Sequence, residues 1–281
     1  MAFYKQLTAW DTSPFQSKLW FTALEDTILA TDYFSRTGAT KSIEFPPLGA
    51  IRYENAFMGS GVYKNVKVAG EAFFMWVWNN SGSDIAMGVP MVKRANQACD
   101  NVTAGGVNYA TKVANFTANK EVGGIVTVLD DGAATGVAPE GQSGQIWKND
   151  VDSIYWQPDF TAAIANTDDL IITYWAHVLA AGSGAQLCDF RGVPVRSAGI
   201  PNGYMGWACI DADFVDVLMP AIAATATIEK GLIAGTATFA EGSTAAVPTV
   251  LGVAKQGLKA DTVNRHILAS IGRGKMRGAS A

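Results

Sequence analysis

IPNGYMGWACI (Ile200–Ile210) opens the stretch on which the fold turns, because a Pro-Asn-Gly turn there runs straight into an aromatic strand. Behind it come DFVDVLMPA (Asp213–Ala221), the turn-rich ATIEKGLIAGTATFAEGS (Ala226–Ser243), TVLGVAKQGLKAD (Thr249–Asp261) and VNRHILASI (Val263–Ile271). Each apolar run is four to eight residues long and is bounded by Gly, Pro, Asn or Asp. Gly and Asn supply the positive φ of tight turns, so this punctuation predicts a meander of short β-strands. In the last run Val263, Ile267, Ala269 and Ile271 share one face, with Asn264, His266 and Ser270 on the other. Arg265 and Leu268 break that alternation.

Upstream, the segment from Pro46 to Lys93 reads as a second set of strands. Gly59-Ser60-Gly61 is turn material, and Val62, Val66 and Val68 fall on one face of the strand that follows. Ala72–Trp78 (AFFMWVW) is apolar on both faces, so each side needs a cover, from a second sheet or from a partner. Ahead of these strands Ser13 is a candidate helix N-cap with Pro14 in the first turn. Trp20, Leu24 and Ile28 form a helical row beside Phe15 and Leu19, fading before Gly38. The first ten residues carry Phe3, Tyr4 and Trp10, an aromatic arm that either clasps a neighbour or packs back on its own domain.

The middle is less regular. Residues 93–120 read as a surface excursion, Gly123–Asp131 as a strand, and Asp131–Gly144 as a loop. Ile154–Trp156 and Leu170–Leu179 read as two further strands. The expected fold class is therefore mostly β, a short-stranded sandwich or small barrel with long loops and one N-terminal helix. Residues 1–45 form an arm and helix and residues 46–281 a β-rich body. Within that body about 93–199 is an enlargement or a second domain.

Order and pattern together resemble the capsid cement, or head decoration, proteins of tailed bacteriophages. The C-terminal half of that family has a "GWxxI" strand, a "DVLM" strand, a "kGLIAGT" turn and "VLGVAKQ". The counterparts here are Gly206–Ile210, Asp216–Met219, Lys230–Thr236 and Val250–Gln256. Its N-terminal portion has "LGxI", "GxG", "vYvKv" and "GxPv", matched by Leu48–Ile51, Gly59–Gly61, Val62–Val68 and Gly88–Val92. The resemblance implies a virion structural protein that binds between capsomers, with the major capsid protein and its own copies, as a homotrimer, for partners. It implies no enzymatic activity and no cofactor.

Composition sets bounds beside that. A chain of 281 residues can bury roughly 75% of its unfolded surface. Charged residues make up 16% and hydrophobic ones 49%, where about a quarter charged is usual, which fits an exterior hidden against neighbours. A net charge of −4 gives no electrostatic support for general nucleic-acid binding. Ala72–Trp78, the longest wholly apolar run, is far short of the ~20 residues of a spanning helix. The N-terminus lacks a secretory pattern, so a soluble product made in a cytoplasm is expected; the resemblance implies that this is a host cytoplasm and that the virion capsid is the destination.

No chemical motif emerges. Cys99, Cys188 and Cys209 are far apart and read as buried free thiols. His177 and His266 have no ligand partners at metal spacing and read as structural. Gly272–Met276 ends in Met where a phosphate loop needs Ser or Thr. Asp211/Asp213/Asp216, Asp168/Asp169 and Asp130/Asp131 could offer oxygens to Ca²⁺, but turn chemistry explains them first. The basic tail (Arg273, Lys275, Arg277) reads as a solvated terminus, or on a shell protein as a reach towards a neighbour's acidic patch or packaged DNA.

For the contact surface the candidates are Phe3, Tyr4, Trp10, Phe73, Phe74, Trp76 and Trp78, since aromatics dominate interface cores. Two other readings stand beside this one. The chain could be another virion part, such as a tail or fibre component or a major capsid subunit. Or it could be a glycan-binding or glycan-hydrolysing β-sandwich, its eight Trp serving as stacking platforms or simply as core.

Overall fold

A computed structural model of the chain describes residues 23–24, 26–34, 46–56, 67–130, 139–183, 185–186, 188–220, 230–242, 250–257 and 263–272. In chain order the elements begin with β1 (Thr27–Leu29), α1 (Ala30–Phe34), β2 (Ile51–Ala56), β3 (Val68–Asn79) and β4 (Met91–Lys93). Next are β5 (Gln97–Cys99), β6 (Ala104–Gly105), β7 (Tyr109–Thr111), β8 (Ile125–Asp130), β9 (Ser143–Asn149), β10 (Ser153–Gln157) and β11 (Asp169–Thr173). The chain continues through β12 (His177–Ala180), β13 (Val193–Pro194), β14 (Tyr204–Met219), β15 (Gly231–Ala234), β16 (Phe239–Glu241), β17 (Val250–Ala254) and β18 (Arg265–Ile271).

The molecule is mostly β, with two sheets in a sandwich-like arrangement, the larger curled into a half-barrel. The larger sheet runs β16-β15-β17-β18-β14-β3-β12-β4, with β1 and β13 also on β14 and β2 on β3. Its spine is the antiparallel pair β3–β14, in register at Trp76↔Trp207, Phe74↔Cys209 and Ala72↔Ala212. β-Branched and aromatic residues crowd both strands, the composition that suits a pleated surface buried on one side or both. Phe74, Trp76, Trp207, Val215, Val217, Ile267, Ala269 and Ile271 all lie in the core of this sheet.

The smaller sheet, β5-β11-β8-β9-β10-β7-β6, is built wholly from residues between β4 and β12. It has its own core around Trp156, Ile146, Ile154, Leu170, Ile172 and Tyr174. The chain leaves the larger sheet after Lys93 and rejoins it at His177, where Arg94 N donates to His177 O at 2.8 Å. The enlargement expected over about 93–199 is thus a second sheet over Gln97–Thr173, and residues 177–199 return to the first.

Several sequence expectations need correction. Tyr204–Met219 is one strand, not two, because shifts of register at Ile210 and Asp213 let it bend without breaking. Leu170–Leu179 is not one strand: it divides at Tyr174–Ala176, where the chain crosses from the smaller sheet to the larger. Residues 93–120 contain three short strands, and the turn-rich Ala226–Ser243 holds the β15–β16 hairpin.

Ile28, placed in the helical row, sits instead in β1, which pairs with β14 through Thr27↔Gly206. The described helix is only the five residues Ala30–Phe34. The proposed cap at Ser13 and the row through Trp20 lie outside the described residues, as does the Gly59–Gly61 turn. The segment read as arm and helix therefore supplies an edge strand to the body itself.

Candidate contact surface

The outward side of the β2–β3–β14 region carries large apolar side chains in the open. Ile51 is 53% exposed, Tyr53 48%, Phe73 41% and Phe214 42%. Pairing sets them side by side: Tyr53 is opposite Phe73 and Ile51 opposite Met75 in the β2–β3 ladder. The Tyr53 and Phe73 rings pack at 5.1 Å between centroids. Phe214 faces Ala69 across a bulge in the β3–β14 ladder. Alternation explains the other side of the same strands, where Arg52 and Glu54 form an ion pair beneath the sheet and the Arg52 guanidinium sits 5.6 Å from the Trp207 ring.

At one end this surface deepens into a groove of about 570 Å³ lined by Phe73, Met75, Trp175, Phe190, Ile210 and Asp211, among others. Trp175 is held there from two directions. Its indole lies against Gly49, whose φ of +84° and missing Cβ let the ring approach. Its carbonyl accepts a 2.6 Å hydrogen bond from Arg191 Nε. Acidic groups border the surface: Glu71 Oε1 accepts from the Tyr53 hydroxyl at 3.3 Å, and Asp213 Oδ2 accepts from Glu71 N at 3.1 Å.

Of the residues expected at a contact, Phe73 is exposed and central to this surface. Phe74, Trp76 and Trp78 are corrected: they are 0%, 0% and 4% exposed and belong to the protein's own core. Trp76 packs edge-on against Trp207 at 5.2 Å. The strand is apolar on both faces because the domain covers most of it, so only its Phe73 end is free to meet a neighbour. Phe3, Tyr4 and Trp10 lie outside the described residues. Ile51, Tyr53, Phe214 and Trp175 carried no sequence signal, since single hydrophobics in a strand say nothing of which face stays open.

A second aromatic group crosses the smaller sheet. Trp147 on β9, Tyr155 on β10 and Tyr109 on β7 stand in a row, with centroids 6.0 Å and 6.2 Å apart. The Lys148 ammonium lies 4.9 Å from the Tyr155 ring.

The titratable groups concentrate where the two sheets join. Arg94 Nη1 donates to Glu121 Oε2 at 2.8 Å, and its guanidinium lies 4.2 Å over the Tyr174 ring. Glu121, 1% exposed, also accepts from the Tyr174 hydroxyl and from Thr117 N. Burial, then the Glu121 charge, pushes the Tyr174 phenol well above its ordinary range. His177 packs on Trp78 at 4.9 Å and on Tyr174 at 5.0 Å, and its Nε2–H donates to Val122 O at 2.9 Å. His177 ties the larger sheet to the smaller one through its contacts with Tyr174 and Val122, while its packing on Trp78 lies within the larger sheet.

His177 makes a pH-dependent contribution whose sign follows from its burial. Desolvation, with help from Arg94, lowers its pKa from 6.5 to about 3 against the opposing bond to Val122. Below pH 6.5 the unfolded chain takes up a proton here that the folded chain refuses until about pH 3. Stability from this site is thus full above pH 6.5 and is lost on acidification, by about tenfold in folding equilibrium per pH unit. Urea titrations from pH 7 to pH 4 should show a slope shallower by one proton in His177→Gln than in the native chain.

The remaining chemistry is quiet. Among the described residues no three His, Cys, Asp or Glu groups gather as a metal site. Asp168 Oδ2 accepts from Ala165 N at 2.8 Å within a turn, and Asp169 Oδ1 accepts from Asn101 N at 2.7 Å, a bond between segments 68 residues apart. Asp130's partner in the sequence, Asp131, lies outside the described residues. His266 Nδ1 is 3.3 Å from Asp216 Oδ1 at the surface.

All three thiols are free; Cys99 and Cys209 are buried, whereas Cys188 is exposed, correcting the reading of three buried thiols. Burial pushes Cys99 up to about 11 and raises Cys209 further, so neither is a thiolate near neutrality. No described helix is long and apolar enough to cross a membrane. No family model matches the chain, and comparisons with curated proteins and with solved structures found no match.

Proposed function

We propose that the chain is a structural virion protein of a tailed phage, a cement protein that binds the outer capsid shell between capsomers. The observation that supports this reading is the open apolar surface of Ile51, Tyr53, Phe73 and Phe214. These side chains sit on the most extensively paired strands of the molecule, so they meet a partner already ordered and lose little entropy on binding. Aromatics that are rigid, clustered and rimmed by polar groups are what interface cores are made of. The sequence resemblance supports a shell as the partner, and the open apolar surface supports an adhesive role. Contacts repeated around a closed shell gain from multivalency, so no single one need be tight.

Co-sedimentation with DNA-free and filled heads tests this. The native chain should travel with heads, and Tyr53→Ala/Phe73→Ala should lose at least tenfold in apparent affinity with its urea midpoint nearly unchanged, because both side chains are half in solvent. A native chain that stays in the supernatant at saturating head concentration sinks the proposal.

The row Trp147–Tyr155–Tyr109 favours a second reading, a glycan-binding module, in which the rings stack on sugar faces. Retention on a polysaccharide column, lost in Tyr155→Ala, would select it over the first.

A further inference from the structure

We infer that the cleft between the two sheets and the aromatic row beside it form one binding site for an acidic polysaccharide. The inference rests on the glycan-binding reading of that row and names the class of glycan; it does not depend on the cement reading. The cleft holds about 480 Å³ and is lined by Leu29, Trp78, Val122, Trp147, Lys120 and Lys148, among others. Its size falls within the roughly 300–1,000 Å³ of small-molecule sites, whose linings are likewise mostly apolar with a few polar groups.

Trp147 and Lys148 make cleft and row continuous. Both line the cleft, and both reach Tyr155 on β10: the Trp147 and Tyr155 rings lie 6.0 Å apart, and the Lys148 ammonium is 4.9 Å from the Tyr155 ring. Tyr109 on β7 extends the row by 6.2 Å and is 37% exposed. Its ring packs on Gly106, where a Cβ would come within 2.5 Å of Tyr109 Cε1, so backbone contact sets the far end of the row before any ligand arrives.

Charge selects an anion. The whole chain carries −4, yet β7, β9 and β10 contain no Asp or Glu. The acids of the β9–β10 turn are engaged by backbone: Asp150 Oδ1 accepts from the N–H groups of Asp152 and Ser153, and Asp152 Oδ1 from Ala114 N. Lys120 and Lys148 bring two ammonium groups to the cleft, and neither is in an ion pair among the described residues. Residue 120 is held in place by its carbonyl, which accepts from Arg94 Nη1 at 3.1 Å and Asn80 Nδ2 at 3.0 Å.

The rest of the face suits hydroxyl groups. Alternation sets Gln145 outward with Trp147 on β9, and Ser153 and Gln157 outward with Tyr155 on β10. Gln145 and Gln157 are exposed and directly opposite each other in the ladder. Each amide offers both donors and an acceptor, which is what sugar hydroxyls take. Single-stranded nucleic acid also uses aromatic rows, but it needs a cationic groove along its backbone. Two lysines among neutral amides fit a ligand whose carboxylates are spaced between hydroxyls.

Binding of the full chain to alginate, hyaluronan and polygalacturonate, each compared with its neutral methyl ester, tests this. At least one acidic form should bind tenfold or more tighter than its ester. Lys120→Gln with Lys148→Gln should remove that difference and leave the urea midpoint unchanged, whereas Tyr155→Ala should weaken acid and ester alike. Equal binding of acid and ester overturns the inference and leaves the glycan-binding reading standing. Binding to none of the acids or esters overturns both. Tighter binding to an oligothymidylate than to any acidic form overturns the inference in favour of single-stranded nucleic acid.

Discussion

Trp207→Ala should lower the free energy of unfolding by about 3–5 kcal/mol, the range for deleting a fully buried aromatic side chain. Trp207 is 1% exposed and directly opposite Trp76 in the β3–β14 ladder. Their rings meet at 5.2 Å with planes at 69°, an edge-to-face pair that adds to the burial itself. The Arg52 guanidinium lies 5.6 Å from the Trp207 ring, and Arg52 in turn pairs with Glu54, which is 2% exposed. Truncation therefore opens a cavity and loosens the cation that compensates a buried carboxylate. Collapse around the cavity is hindered because the walls are paired strands. Trp207→Phe, which keeps a ring against Trp76, should lose about half as much. Urea midpoints with slopes checked for constancy measure the effect, and a Trp207→Ala midpoint close to native would place the main core elsewhere.

The same ladder shows why sequence reading went as far as it did and no further. Short apolar runs between Gly, Pro and Asn marked most strands of the larger sheet, because turn residues and burial leave strong local signals. Ala72–Trp78 was legible as covered on both sides, but Phe74 and Phe73 are identical letters one residue apart, and only the pairing decides that one is buried and the other open. The bulges at Ile210 and Asp213 shift the inward register, so the alternation looks broken and one long strand reads as two. The strands β5, β6 and β7 are two or three residues each, inserting little more than Cys99 and Ala110 into a core, too few positions for any period to show. The candidate surface needs Ile51, Tyr53, Phe73 and Phe214 to be brought together across three strands, and nothing local in those strands announces it.

The largest electrostatic effect should come from Arg94→Met, expected to cost about 3 kcal/mol, the low end of the range for breaking a buried ion pair, because Glu121 is 1% exposed while the Arg94 side chain keeps 22% exposure. Arg94 sits on the first crossing between the sheets, just after β4, and reaches Glu121 at 2.8 Å and Gln97 Oε1 at 3.0 Å. Methionine keeps most of the aliphatic stem and its packing on Tyr174, so the loss isolates the charge and its hydrogen bonds. What remains is Glu121, 1% exposed, with neutral donors from Tyr174 and Thr117 that soften its isolation but supply no countercharge. The physical cause is then desolvation of a stranded carboxylate rather than loss of attraction, and this has a consequence that separates the two. Adding Glu121→Leu to Arg94→Met should restore a substantial part of the lost stability, because an apolar pair of similar volume no longer holds an uncompensated charge. If the double variant is instead as unstable as the sum of the singles, the junction depends on its hydrogen-bond geometry through Gln97, Thr117 and Tyr174. Hydrogen exchange at Trp78–Asn80 and at Tyr174–His177 gives the local readout, since these segments lie on either side of the join and should lose protection together in Arg94→Met.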